Sequence, residues 1–248
     1  MMKKLFKKIL LCAPFIPMTS QAIGIDSMME FTVDGKAAFH ITNGAEYRQF
    51  LQVGIAELSV VDGELKTTRY TRDNIDDWSL TVRPARTVID PELQKAFQVS
   101  YTPQKNQLID KDKVYQLSFI PTPYFAEGEK VTHTVQVAVG FAPIVIVPAR
   151  EDKPIAYEMS YEGATMQLKN KGGTYLRAYL DACPSGLKGK QREECTSVVY
   201  GLSGRNLPIE LKDKMKNAKE IKVELSTHNS KYKETFSLKP GKAHSSEE

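Results

Sequence analysis

The feature that most restricts how this chain can fold is the spacing of its β-forming runs. Stretches rich in Val, Ile, Thr, Tyr and Phe recur at 37–42, 50–61, 79–82, 96–102, 114–120 and 131–147, each bounded by turn residues. Val60-Val61-Asp62-Gly63 ends one of them with a strong hairpin signal, because Asp-Gly accepts the positive φ angles of a tight turn. Little helical periodicity lies between the runs, and strands at this spacing describe a β-sandwich. The prolines of the polar stretch 148–154 interrupt the pattern and predict a linker. A second set follows at 156–161, 165–169, 174–180, 197–202, 220–226 and 232–238. Each set is near the size of an immunoglobulin-like sandwich. Residues 207–225 are ambiguous: the Lys-rich stretch with Leu211, Met215 and Ala218 fits one helical turn or a loop. The boundaries read from this pattern are a first domain over 23–148, a linker over 149–154, a second domain over 155–240, and a small, polar, disordered tail over 241–248.

Residues 1–22 read as a signal peptide. Lys3, Lys4, Lys7 and Lys8 precede a short apolar run broken by Pro14 and Pro17, and Ser20-Gln21-Ala22 supplies small residues for cleavage before Ile23. Leu11 before Cys12 is not the small residue that a lipoprotein signal requires. The net charge of +4 belongs to this leader, since its removal takes away four lysines and no acid. A neutral mature chain argues against nucleic-acid binding, and no later apolar stretch is long enough for stable membrane insertion. The expected compartment is the periplasm, where oxidising conditions favour a disulfide between Cys183 and Cys195. Such a bridge closes a short loop and contributes roughly 3 kcal/mol in the loop-entropy account. His40, His133, His228 and His244 are scattered without ligand spacing, so no metal site is expected.

Catalytic signatures are missing. No nucleophile elbow, H-E-x-x-H or Walker A motif occurs; Gly186-Leu187-Lys188-Gly189-Lys190 is followed by Gln191 and lies within the cysteine loop. Asp73, Asp76 and Asp77 lack the glycine and closing glutamate of a calcium loop. Trp78 fits either core filling at the end of a sandwich or a carbohydrate platform. The most distinctive segment is the last run of the first set. There Val135, Val137, Val139 and Phe141 alternate with Gln136, Ala138 and Gly140 before the continuous run Ile144-Val145-Ile146-Val147. Alternation ordinarily places the apolar face in the strand's own core; the functional alternative is an edge whose apolar face is kept for a partner.

The order of several segments resembles the periplasmic chaperones of the chaperone–usher fimbrial pathway, in particular the alternate chaperones of class 5 fimbriae. Trp78-Ser79-Leu80-Thr81-Val82-Arg83-Pro84 is similar to the family's strand that ends in proline. Val114-Tyr115-Gln116-Leu117-Ser118-Phe119-Ile120-Pro121 is similar to its penultimate strand, and Val135 to Pro148 to the last strand of its first domain. Tyr179-Leu180-Asp181-Ala182-Cys183 with Cys195 resembles the cysteine pair of the alternate branch. The resemblance implies an all-β protein of two immunoglobulin-like β-sandwich domains in an L-shaped arrangement, with no catalysis and no cofactor. It implies fimbrial subunits (pilins) and an outer-membrane usher as partners. Subunits would be stabilised by donor-strand complementation through Val135, Val137, Val139 and Phe141, beside an edge strand over 23–33 with Ile25, Phe31 and Val33 at its apolar positions.

One departure stands out. The commoner branch anchors the subunit carboxylate with an arginine in the first strand and a lysine in the last, whereas residues 25–31 carry no basic residue and the matching stretch of the last strand is Pro143-Ile144-Val145. Arg83, Arg86 and Arg150 are the alternative candidates, each equally readable as a surface or interdomain residue. Two rival functions share the export signal and the sandwiches. A structural subunit or adhesin should lack one strand and carry a donor extension. A periplasmic carbohydrate-binding module should show several exposed aromatics, and this chain has one tryptophan.

Overall fold

The computed structural model describes residues 23–104, 110–125, 139–151, 153–228 and 230–246. The chain is all-β, in four sheets that form two sandwiches. The first sandwich uses β1 (Ile23–Ile25), β2 (Met29–Phe31), β3 (Lys36–Asn43), β4 (Gln49–Val61), β5 (Glu64–Arg69), β6 (Leu80–Arg83), β7 (Arg86–Ile89), β8 (Gln94–Tyr101), β9 (Lys113–Pro123) and β10 (Ile144–Val147). One sheet has the order β1-β3-β8-β6. The other runs β2-β10-β9-β4-β5, with β7 also on β4. The second sandwich uses β11 (Tyr157–Glu162), β12 (Thr165–Asn170), β13 (Leu176–Asp181), α1 (Lys190–Glu193), β14 (Thr196–Gly201), β15 (Asn206–Glu210), α2 (Asp213–Lys216), β16 (Ile221–Ser226), β17 (Lys233–Leu238) and β18 (Lys242–Ser245). Its sheets have the orders β15-β12-β11-β18 and β14-β13-β16-β17.

Alternation builds each core. In β9, Tyr115, Leu117 and Phe119 are fully buried and meet Phe39, Leu51, Phe97 and Val145 between the first two sheets. In the second sandwich, Leu176, Ala178 and Leu180 of β13 and Ile221, Val223 and Leu225 of β16 face Met159, Tyr161 and Leu168. A third, smaller cluster joins the sandwiches: Leu58, Val114, Ile146 and Tyr175 are buried together, with Met29, Phe31, Ile144 and Leu202 against them.

Two expectations change and one open alternative is settled. The segment 23–33 is two short strands on different sheets. β1 pairs antiparallel with β3, and β2 pairs parallel with β10. Asp26, at the crossover, accepts hydrogen bonds from the His40 backbone N–H (2.9 Å) and is bonded to the His40 ring at 2.7 Å. The polar tail is not disordered throughout, because Lys242–Ser245 adds to β11 as β18. Polarity misled there: an edge strand needs only a backbone partner and one packed side. The ambiguous stretch 207–225 resolves into the end of β15, the single turn α2 with Met215 buried beneath it, and β16.

Candidate functional site

The last strand of the first sandwich is covered over part of its length only. Ile144, Val145 and Ile146 pair with β9 on one side and with β2 on the other. Upstream the pairing with β9 continues in the same register through a bridge between Phe141 and Phe119, whose backbone groups exchange bonds of 2.8 and 3.1 Å. Among the described residues no strand pairs with the second side there. In an antiparallel ladder the neighbours of a bonded pair turn their N–H and C=O groups the opposite way. Those of Gly140 and Ala142 have no hydrogen-bond partner among the described residues. Gly140 is required by the close fit, as a Cβ at this position would stand 2.6 Å from the Phe119 carbonyl oxygen.

Side chains along this stretch change role within two residues. Phe141 packs partly against the first core. Val139, two residues upstream and so on the same face, is 63% exposed. The apolar stripe thus leaves its own core at Val139 while the backbone edge is still open. Val135 and Val137 lie outside the described residues.

The residues expected on the neighbouring edge divide. Ile25 packs into the first core and Val33 is exposed in the tight turn to β3. Phe31 is taken up between the sandwiches, its ring 5.1 Å from Tyr175 and stacked on His228. Burial, then the Tyr200 hydroxyl beside it, raises the Tyr175 phenol above its ordinary value, so this wall of the seam stays neutral.

The three arginines are not brought together. Arg83 and Arg86 flank Pro84 and are exposed, and Arg86 pairs with Gln52, itself opposite Ile120. Arg150 follows Val147, which is opposite Lys113, so the two ends are separated by about 23 Å of strand. Arg150 lines a shallow cleft with Thr32, Asp34, Tyr101 and Pro148, at the end of β2. Cys183 and Cys195 are bonded to each other, with Cα atoms 5.1 Å apart, beyond the end of β13 away from Tyr175. Trp78 stacks face to face on Tyr70 at 5.1 Å and donates its indole N–H to Asn74, so the ring caps the end of the sandwich. Sequence reasoning missed Asp112, whose carboxylate accepts from two backbone amides remote in sequence; nothing local to an Asp before a strand signals that.

A backbone edge unpaired among the described residues beside the exposed Val139, on a sandwich joined to a second one, defines a β-sandwich protein suited to pairing with another strand. The family model of the CS5 fimbrial protein N-terminal domain matches residues 25–148, half of the chain, and the chain belongs to that family. Solved structures give the fold. The class 5 fimbriae chaperone CfaA is 12% identical with a TM-score of 0.50, over 88% of this chain and 99% of that one. The chaperone DraB of E. coli is 13% identical with a TM-score of 0.52, over 91% and 98%. A chain of the SafA pilin–SafB chaperone complex of Salmonella enterica is 11% identical with a TM-score of 0.56, over 88% and 96%. CfaA is a class 5 fimbriae chaperone and DraB a chaperone, in line with the resemblance in the sequence, and the third chain comes from a pilin–chaperone complex. No curated protein matches by sequence.

Proposed function

We propose that the protein is a periplasmic chaperone that holds fimbrial subunits by donor-strand complementation and passes them to an outer-membrane usher. The observation that carries this reading is the stretch Val139–Ala142, where an apolar stripe leaves its own core and the adjoining backbone has no partner among the described residues. A subunit that lacks a strand exposes a hydrophobic groove and unpaired backbone groups, both of which promote aggregation. The Val135, Val137 and Val139 stripe fills the groove, Phe141 stays against the protein's own core at the end of the stripe, and Gly140 and Ala142 complete the ladder. Such a task needs no catalysis and no cofactor. Arg150, at the end of β2, is the arginine best placed to meet a subunit carboxylate.

Val139→Asp tests the reading. The side chain is exposed, so thermal unfolding of the free protein should be unchanged, while co-purification of subunits from the periplasm should be lost. A large fall in the unfolding midpoint would put Val139 in the protein's own core. Normal recovery at an unchanged midpoint would remove the donor role.

A further inference from the structure

A sheet edge offers a row of unpaired N–H and C=O groups to any passing strand, and natural edges are guarded by charge, proline or brevity. Most edges here follow that rule. A charged residue stands in each of the longer ones: Lys66 in β5, Arg83 in β6, Arg86 in β7, Glu210 in β15, Lys233 in β17 and Lys242 in β18. β1 and β2 are three residues each. β14 is the exception. Thr196-Ser197-Val198-Val199-Tyr200-Gly201 has neither a charged residue nor a proline, and β13 is its one strand partner among the described residues.

The pairing with β13 fixes which groups of β14 face outward. Just before the strand, the Ala182 N–H donates to the Cys195 carbonyl at 3.0 Å, and these two residues stand opposite each other in the register that continues from Asp181 and Thr196. Cys195 is therefore a bonded position, and by the alternation of an antiparallel ladder so are Ser197 and Val199. The N–H and C=O groups of Thr196, Val198 and Tyr200 turn away from β13 and have no hydrogen-bond partner among the described residues. Two of these three also carry exposed apolar side chains, Val198 at 41% and Tyr200 at 43%, beside Tyr179 and Arg177 of β13. The Tyr200 ring stacks on Tyr175 at 6.1 Å, which holds it in one orientation.

We propose that β14 pairs antiparallel with the β14 of a second copy of this chain. The strand is complementary to itself. Turned about a two-fold axis at Val199, it sets Val198 opposite Tyr200 of the second copy, and Tyr200 opposite Val198, so that each pair exchanges both backbone bonds. Aromatic and β-branched side chains are favourable cross-strand neighbours. With the axis on a residue, the core side of one sheet continues the core side of the other, and Val199, packed partly against the second core, keeps its place in both copies. Charge favours the same occupant. A neutral strand meets a neutral strand, and the Arg177 residues of the two copies stand at least three strand spacings apart, about 14 Å, beyond the screening length at physiological salt. The sheet β14-β13-β16-β17 then runs through both copies and neither edge is left bare. The open stretch Val139–Ala142 belongs to the first sandwich and takes no part in the pairing, so the inference goes beyond the chaperone reading and stands without it.

Sedimentation velocity on the full exported chain, over a series rising to about 1 mM, where even weak pairing shows, should give a monomer passing into a dimer. Amide exchange should slow at Val198 and Tyr200 as the chain is concentrated. Val198→Glu removes both cross-strand pairs of the symmetric dimer and should raise its dissociation constant roughly tenfold or more at an unchanged unfolding midpoint. Tyr200→Glu removes the same pairs beside Arg177, a favourable neighbour in its own sheet, and it carries the test where Val198→Glu fails to fold. A monomer at every concentration overturns the proposal. So does a dimer whose Val198 and Tyr200 amides exchange as fast as in the monomer, or one that survives both substitutions. A dimer that Val139→Asp dissolves and the β14 variants do not would be held by the first sandwich, and it overturns the proposal equally.

Discussion

Two asparagines do the same work in the two sandwiches. Asn43 ends β3 and Asn170 ends β12, and both side chains are buried. Asn43 accepts from the Ala45 N–H and donates to the carbonyls of Tyr47 and Ile89. Asn170 accepts from the Gly172 N–H and donates to the carbonyls of Thr174 and Gly201. Each amide thus replaces a strand partner at the place where the chain turns toward the opposite sheet. Alanine at either position strands buried backbone groups, and the expected loss is roughly 2–3 kcal/mol. Chemical denaturation of Asn43→Ala and Asn170→Ala should show it in both cases, with aspartate at the same sites retaining only the accepting bond. A loss below about 0.5 kcal/mol would mean that water replaces the amide. Neither role was readable in the sequence, where Asn between a strand and a polar loop suggests only a turn.

At the scale of elements, strands with one buried face were readable and strands without one were not. β9, β13 and β16 announce themselves because every second residue is apolar and buried. β5 is exposed along all six residues and has β4 as its one strand partner among the described residues, so it carries no periodic signal. β18 is a short edge of the same kind, and β7 is too short for a pattern although Ile89 enters the core. The division of the first strand between sheets was also hidden, since Ile25 and Phe31 are equally apolar yet enter different clusters. β18 has a consequence of its own. Its His244 ring is bonded to the Tyr157 hydroxyl at 2.9 Å, and Ser246 accepts from the Tyr157 N–H at 3.1 Å. Truncation after Leu238 should therefore expose the β11 edge, lower the unfolding midpoint of the second sandwich and increase aggregation on heating. An unchanged midpoint would show β18 to be dispensable.

Across the whole molecule, separate tasks fall at separate places. The open stretch at Val139–Ala142 lies on the first sandwich, the apolar seam lies between the two, and the disulfide lies beyond the far end of β13. Around the disulfide, Arg192 bonds Asp181 at 2.5 Å and Tyr179 at 3.4 Å, and the Ala182 N–H donates to the Cys195 carbonyl, so the loop is tied to its own sheet. No residue of that loop joins the seam cluster. Replacing both cysteines by serine should cost the second sandwich roughly 3 kcal/mol, the loop-entropy value for a closure of this length. The contacts of Phe31, Asp112 and Arg205 lie at the seam, at the other end of β13. Subunit recovery at a temperature where the variant is still folded should therefore match that of the unsubstituted chain. Free-thiol counting on the denatured, unreduced exported protein gives the baseline, with none expected. Calorimetry then reads the fall in the midpoint, and co-purification reads capture. Recovery that collapses at a temperature well below the variant's midpoint would mean that the loop contributes to the subunit-binding surface, and the separation of stability from capture would be wrong.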